Sequence, residues 1–267
     1  MTVPGPATTR VTASDGVEVA VHRWGAGGEP PPVVLLHGFA SSTHGNWARP
    51  GVVAALVAAG RQVIGIDARG HGTSDKPHDP RFYGEPAMAG DVRAVADALG
   101  LGRYDLAGYS MGAIVALLAA AADRRVRRLV VGGIGAGVVE LGGLDTRRVR
   151  QDALVAALEA ADPATIPDPA AAGFRAFADS AGADRLALAA HARVVHTGPV
   201  PLREITATTL VLAGEDDPLA VRPQLLADAI AGARLRLVPG DHLSAVGGPA
   251  FVAALVEFLD EPEERAA

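Results

Sequence analysis

Apolar and polar positions along the chain fall into two alternating rhythms. The runs "PPVVLLHG" (31–38), "QVIGID" (62–67), "YDLAGYS" (104–110) and "VRRLVVGGI" (126–134) are short and largely apolar. That is the pattern of strands buried on both faces of a sheet. Between them, "GVVAALVAAG" (51–60), "EPAMAGDVRAVADALG" (85–100) and "MGAIVALLAAAAD" (111–123) have helical character. Ahead of this series, "VTASDGVEVAVHRW" (11–24) reads as two strands joined by a tight Asp15-Gly16 turn. A hairpin followed by βαβα predicts a mostly parallel sheet covered by helices.

The rhythm breaks after Gly133. Residues 134–205 hold no convincing strand but several helix-like pieces, such as "TRRVRQDALVAALEAAD" (146–162) and "AAAGFRAFADSAG" (170–182). Alternation resumes with "TTLVLAG", "PQLLADAIAG", "RLRLVPG" and "PAFVAALVEFLDE". The expected organisation is one α/β core, 1–133 and 206–267, interrupted by a helical cap insertion at 134–205. With 267 residues, 49% of them hydrophobic, the chain is long enough for a sizeable core.

Charge and composition narrow the function classes. The net charge is −6 and the arginines are dispersed, which argues against a nucleic-acid surface. The absence of cysteine excludes disulfides, thiolate metal sites and a Cys nucleophile. "MTVPGPATTR" has no apolar core of a signal peptide, and the longest apolar run, 111–122, falls short of the roughly 20 residues that span a bilayer. A cytoplasmic protein with no membrane contact is expected; oligomeric state is not legible. "VVGGIGAGVV" (130–139) resembles a dinucleotide loop but has the wrong glycine spacing, and neither a Walker A loop nor an H-E-x-x-H pair occurs. No cofactor and no metal are expected.

The chemistry concentrates at strand ends. Gly108-Tyr109-Ser110-Met111-Gly112 lies where a predicted strand meets a predicted helix. Glycines two residues to either side allow a turn tight enough to strain and expose a serine nucleophile. "HGF" (37–39) ends an earlier strand. The backbone N–H groups of Phe39 and Met111 are the expected pair of oxyanion donors. His37 is expected to brace that loop. His242, in a Gly-Asp-His loop after the last predicted strand, is the candidate base, since a serine hydroxyl needs an imidazole to take its proton. A carboxylate must in turn orient the imidazole. Asp216 and Asp217, at the end of "TTLVLAG", are both candidates on the residues alone. Asp217 as a helix cap is the competing reading, weakened by Pro223, which is the better first helical residue.

Taken together, "HGF", "DARGHGTSD", "GYSMG", "GEDDP" and "GDHL" resemble the α/β-hydrolase superfamily in order and spacing, and within it the esterase, enol-lactonase and cofactor-free haloperoxidase-like branch. The resemblance implies an eight-stranded sheet, an active site at the carboxyl ends of the strands beneath the cap, and Asp217 as the acid. It also implies hydrolysis of a small, mainly apolar carboxylic ester or lactone through an acyl-enzyme. A serine at 110 departs from the dehalogenase and epoxide hydrolase branches, which use aspartate. Loop 37–39 lacks the triple glycine of one lipase group. The competing classes are a non-catalytic ligand receptor on the same fold, and a triad enzyme with altered chemistry: C–C bond hydrolase, perhydrolase or acyltransferase. Tyr109, Leu141, Phe174, Phe177 and His191 are the expected substrate contacts, with Leu144 and Leu186 as further pocket candidates; His191 and His196 otherwise read as solvated helix residues.

Overall fold

A computed structural model describes residues 4–262. The Asp15-Gly16 turn forms as its sequence implies. Gly16 takes φ +88°, and strands β1 (Ala7–Thr12) and β2 (Glu18–Trp24) pair antiparallel across it. The apolar runs become β3 (Val33–Leu36), β4 (Val63–Asp67), β5 (Tyr104–Tyr109), β6 (Val126–Gly132), β7 (Thr208–Gly214) and β8 (Arg234–Val238). They build one eight-stranded sheet in the order β1-β2-β4-β3-β5-β6-β7-β8. β2 joins β4 antiparallel, and every pairing from β4 to β8 is parallel.

Burial on both faces explains why the central strands are apolar throughout. Val34, Leu36, Ile64, Ile66, Leu106, Leu129 and Val131 enter one core, with α2 (Glu85–Ala98), α3 (Met111–Ala122) and α8 (Pro223–Ala229). Their strand neighbours Val33, Leu35, Val63, Ala107 and Val130 enter the other, with α1 (Val52–Ala58) and α9 (Pro249–Asp260). The period of two thus divides each run between two helical layers.

The carboxyl end of α9 is held by cations from the sheet side. Arg61, Arg127 and Arg128 all donate to the Leu259 carbonyl, and Arg128 also to that of Phe258. These are acceptors that a helix leaves unsatisfied at its last turn, where the dipole also favours positive charge. Arg61 and Asp105 pair at 3.1 Å with both side chains fully buried.

Between β6 and β7 the chain forms α4 (Ala136–Leu141), α5 (Gln151–Glu159), α6 (Pro169–Ser180) and α7 (Arg185–Ala192), with no strand. Leu154, Val155 and Leu158 of α5, Ala178 of α6 and Leu188, Ala189 and Ala192 of α7 form a third apolar cluster. α5 is shorter than the helical pattern over 146–162 suggests. The Asp145 carboxylate accepts from the Arg147 N–H at 3.1 Å and from its guanidinium at 2.7 Å, a local turn that competes with helix up to Arg150. Among the described residues, no helix is long and apolar enough to cross a membrane.

Candidate active site

Four loops at the carboxyl ends of β3, β5, β7 and β8 build the site. The sheet order changes direction at β3: β4 lies on one side of it and β5 on the other. A crevice between strands opens at such a switch.

Ser110 sits at the β5–α3 junction with φ +55° and ψ −119°, a strained conformation for a residue with a side chain. The flanking glycines are required by close approach. A Cβ on Gly108 would lie 2.1 Å from the Gly112 carbonyl oxygen, and one on Gly112 would lie 2.3 Å from the carbonyl oxygen of Leu36. The turn therefore brings α3 against both β5 and β3, and its last strand residue fixes Ser110 at the start of a twelve-residue helix.

The loop after β3 closes on this turn. A Cβ on Gly38 would stand 3.4 Å from that of Ser110. His37 braces the loop as expected: Nδ1–H donates to the Gly38 carbonyl at 2.8 Å, and Nε2 accepts from the Ala68 N–H at 3.0 Å. Both bonds require the neutral ring, and burial pushes its pKa down.

His242 lies between β8 and α9 on a turn organised by Asp241, whose Oδ1 accepts from the N–H groups of Leu243 and Ser244 at 3.1 and 2.9 Å. Asp217 follows β7 and is 7% exposed, whereas Asp216 is exposed. The Asp217 carboxylate stands 2.9 and 3.0 Å from His242 Nδ1, and His242 Nε2 is 3.0 Å from Ser110 Oγ. A carboxylate only accepts, so Nδ1 carries the proton and Nε2 is left to accept from the serine hydroxyl. Asp217 Oδ1 also accepts from the Leu219 and Ala220 N–H groups at 2.8 and 3.2 Å. One side chain thus serves both as the partner of His242 and as the cap of a short turn.

Beside Ser110 is a cavity whose lining includes Phe39, Met111, Phe174 and His191 among the expected residues, and Leu144 as well. It leaves about 40 Å³ for the centres of water-sized molecules, room for a few waters. Three expected contacts are absent from its wall. Tyr109 turns to the opposite face of the sheet, where its ring packs 5.8 Å from Phe251 and 5.3 Å from His242, and its hydroxyl donates to the His242 carbonyl at 2.8 Å. It supports the histidine loop from behind. Phe177 packs into the α5–α7 cluster, and Leu141 is half-buried away from the cavity. Leu186 is exposed at the start of α7.

Sequence reasoning missed Glu85, and of its two readings of His191 the structure favours the pocket contact over the solvated helix residue. His191 is 1% exposed rather than solvated, and Glu85, the first residue of α2, is 3% exposed; both line the cavity. Burial pushes the Glu85 carboxyl up, but His191 and the backbone N–H groups of Glu85 and His196 outweigh it and hold the group below its ordinary value. The nearest sequence signal is a glutamate beside Gly84 and Pro86 at a helix start, which also suits an ordinary first-turn acid. Among the described residues no group of three or more histidine or acidic side chains is placed to hold a metal ion.

The sequence profile of the alpha/beta hydrolase fold matches residues 31–140. A solved hydrolase from Pseudomonas aeruginosa PA01 superposes with a TM-score of 0.77 at 30% identity, over 95% of this chain and 98% of that one. The chain belongs to the α/β-hydrolase superfamily. An enol-lactonase from Burkholderia xenovorans LB400 is similar to this α/β-hydrolase at a TM-score of 0.72 and 26% identity, over 95% of this chain and all of the other. A 2-hydroxy-6-oxo-2,4-heptadienoate hydrolase of Pseudomonas putida is 36% identical over 138 residues, 51% of this chain and 48% of that protein. The α/β-hydrolase described here aligns with half or less of the length of the curated relatives it matches.

Proposed function

We propose that this α/β-hydrolase is a serine hydrolase that cleaves a small, mainly apolar carboxylic ester or lactone through an acyl-enzyme. The observation that carries the reading is the continuous chain from Ser110 Oγ through His242 to Asp217, at 3.0 and 2.9 Å. Ser110 attacks the carbonyl carbon while His242 Nε2 takes its proton, and Asp217 stabilises the imidazolium. The N–H groups of Phe39 and Met111 receive the oxyanion, aided by the amino end of α3. His242 then protonates the leaving alcohol, or the freed enol or hydroxyl oxygen of an opened lactone. It next activates a water that releases the acid.

Residues 134–205 serve as the cap in this reading, contributing Phe174, Leu144 and His191 to the cavity wall. The narrow, largely apolar lining favours a short acyl chain. It also bears on the C–C hydrolase alternative. The heptadienoate named for the Pseudomonas putida relative carries a carboxylate. Among the described residues lining this cavity there is no lysine or arginine, while Glu85 is present; the other acid of the wall, Asp145, is already paired with Arg147. A buried carboxylate substrate would meet like charge there. The serine at 110, where the dehalogenase and epoxide hydrolase branches use aspartate, favours acyl transfer over those chemistries.

The test is hydrolysis of p-nitrophenyl acetate and butyrate together with labelling by a fluorophosphonate probe. Ser110→Ala is expected to lower kcat by at least about 10³-fold and to abolish labelling, with the thermal midpoint preserved. Folded wild-type protein that neither labels nor turns over any ester or lactone would move the assignment to a ligand receptor on the same fold.

A further inference from the structure

One polar cluster in the cavity wall has no part in the chemistry above. His191, on α7, lines the cavity with both ring nitrogens buried and without a hydrogen-bond partner. Its ring is held edge and face by aromatic neighbours: Tyr83 stacked at 5.8 Å, Phe39 at 5.6 Å and His71 at 6.1 Å. Nε2 stands 3.5 Å from Glu85 Oε1, close enough for charge attraction but short of a completed hydrogen bond. The other oxygen of Glu85 accepts from the His196 N–H at 2.6 Å. An acceptor oxygen from α2 and an unpaired imidazole from α7 therefore line one cavity. Buried polar atoms are nearly always paired, and leaving one unpaired is costly.

The missing partner has a definable chemistry. The unpaired group is the imidazole, which carries a donor, and beside it at 3.5 Å stands an acceptor, the Glu85 carboxylate. A neutral hydroxyl satisfies both, donating to one and accepting from the other. An ammonium group donates only. A carboxylate or phosphate accepts only, and would sit against the like charge of Glu85. We propose that Glu85 and His191 form a recognition subsite for a neutral hydroxyl on the substrate, so that hydroxylated esters or hydroxylated lactones are preferred over their plain aliphatic counterparts. The inference rests on the serine-hydrolase reading and names its substrate class.

Matched p-nitrophenyl esters read the subsite directly: 3-hydroxybutyrate against butyrate, and 6-hydroxyhexanoate against hexanoate. A hemisuccinate and a 6-aminohexanoate ester serve as the anionic and cationic arms. Wild-type kcat/KM is expected to favour the hydroxylated member of at least one pair by about tenfold or more, the worth of one good hydrogen bond. His191→Phe, which keeps the aromatic stack, should bring that ratio towards one, and Glu85→Gln should lower it severalfold. The ratio is internal to each variant, so a change in folded fraction cancels. Should either variant fail to fold, the wild-type ratios decide. Ratios near one in wild type, or an unchanged ratio in His191→Phe, would overturn the proposal and leave the pair as a latch between α2 and α7. A stronger preference for the hemisuccinate or amino ester would overturn it in favour of an ionic subsite. Calorimetric binding of the same pairs to Ser110→Ala reads the subsite without the chemistry. Tighter binding of the hydroxylated member supports it even if catalysis fails, and equal binding overturns it. Absence of labelling and turnover across all esters, in contrast, counts against the serine-hydrolase reading itself.

Discussion

At the scale of single residues, the neighbouring aspartates show how a side chain acquires a role. Asp216 and Asp217 are chemically equivalent and differ by one position, yet one is exposed and the other pairs with His242. Successive side chains diverge, and the turn that Asp217 caps turns its carboxylate inward. Asp217→Asn should preserve much of that turn, because the amide oxygen still accepts, but it disturbs the imidazole tautomer. A fall in kcat of about 10⁴-fold is expected, against less than about threefold for Asp216→Asn, in parallel assays with p-nitrophenyl butyrate. Tyr109 illustrates the limit of reading a residue by its sequence neighbours. It adjoins Ser110, but strand alternation turns its ring to the far layer, beneath the histidine loop. Tyr109→Phe should therefore leave KM for short esters unchanged and lower stability by about 1 kcal/mol, measured by urea unfolding.

At the scale of elements, the β5–α3 junction is legible because steric necessity writes itself into composition. The approach of α3 to β3 leaves no room for a Cβ at Gly112, and the tight turn leaves none at Gly108. Both clashes are with backbone, which cannot yield as a flexible side chain can. Gly112→Ala should thus cost about 3 kcal/mol or more, seen as a thermal midpoint lower by about 6–12 °C or as loss of folded protein. The carboxyl end of α9 is not legible. Its three arginines come from residues 61, 127 and 128, and nothing in "RRVRRL" distinguishes a buried guanidinium from a solvated one. Arg61→Met strands the buried Asp105 carboxylate in part. We expect destabilisation of about 3–5 kcal/mol by chemical denaturation.

At the scale of the whole molecule, buried histidines couple stability to pH. Burial lowers the pKa of His37; burial first, then repulsion from His37 and His191, lowers that of His71 well below 6.5. The unfolded chain therefore binds protons near pH 6.5 that the folded chain does not. Stability is full above that value and falls as the pH drops below it. Each group contributes up to about 1.4 kcal/mol per pH unit while its folded form stays neutral. Urea unfolding between pH 7 and 5 should show this slope, and His71→Asn should make it shallower by up to one group's share. The chain by itself determines whatever local physics imposes: the two rhythms, the hairpin glycine, the elbow glycines and the strand-end placement of serine and histidine. Asp216 and Asp217 are equal candidates on the residues alone, with Asp217 implied only by the resemblance; tertiary structure turned Tyr109 away from the cavity and set His191 against Glu85, far earlier in the chain. Those outcomes depend on how distant segments pack, and side chains of identical composition carry no local mark of the neighbour they will meet.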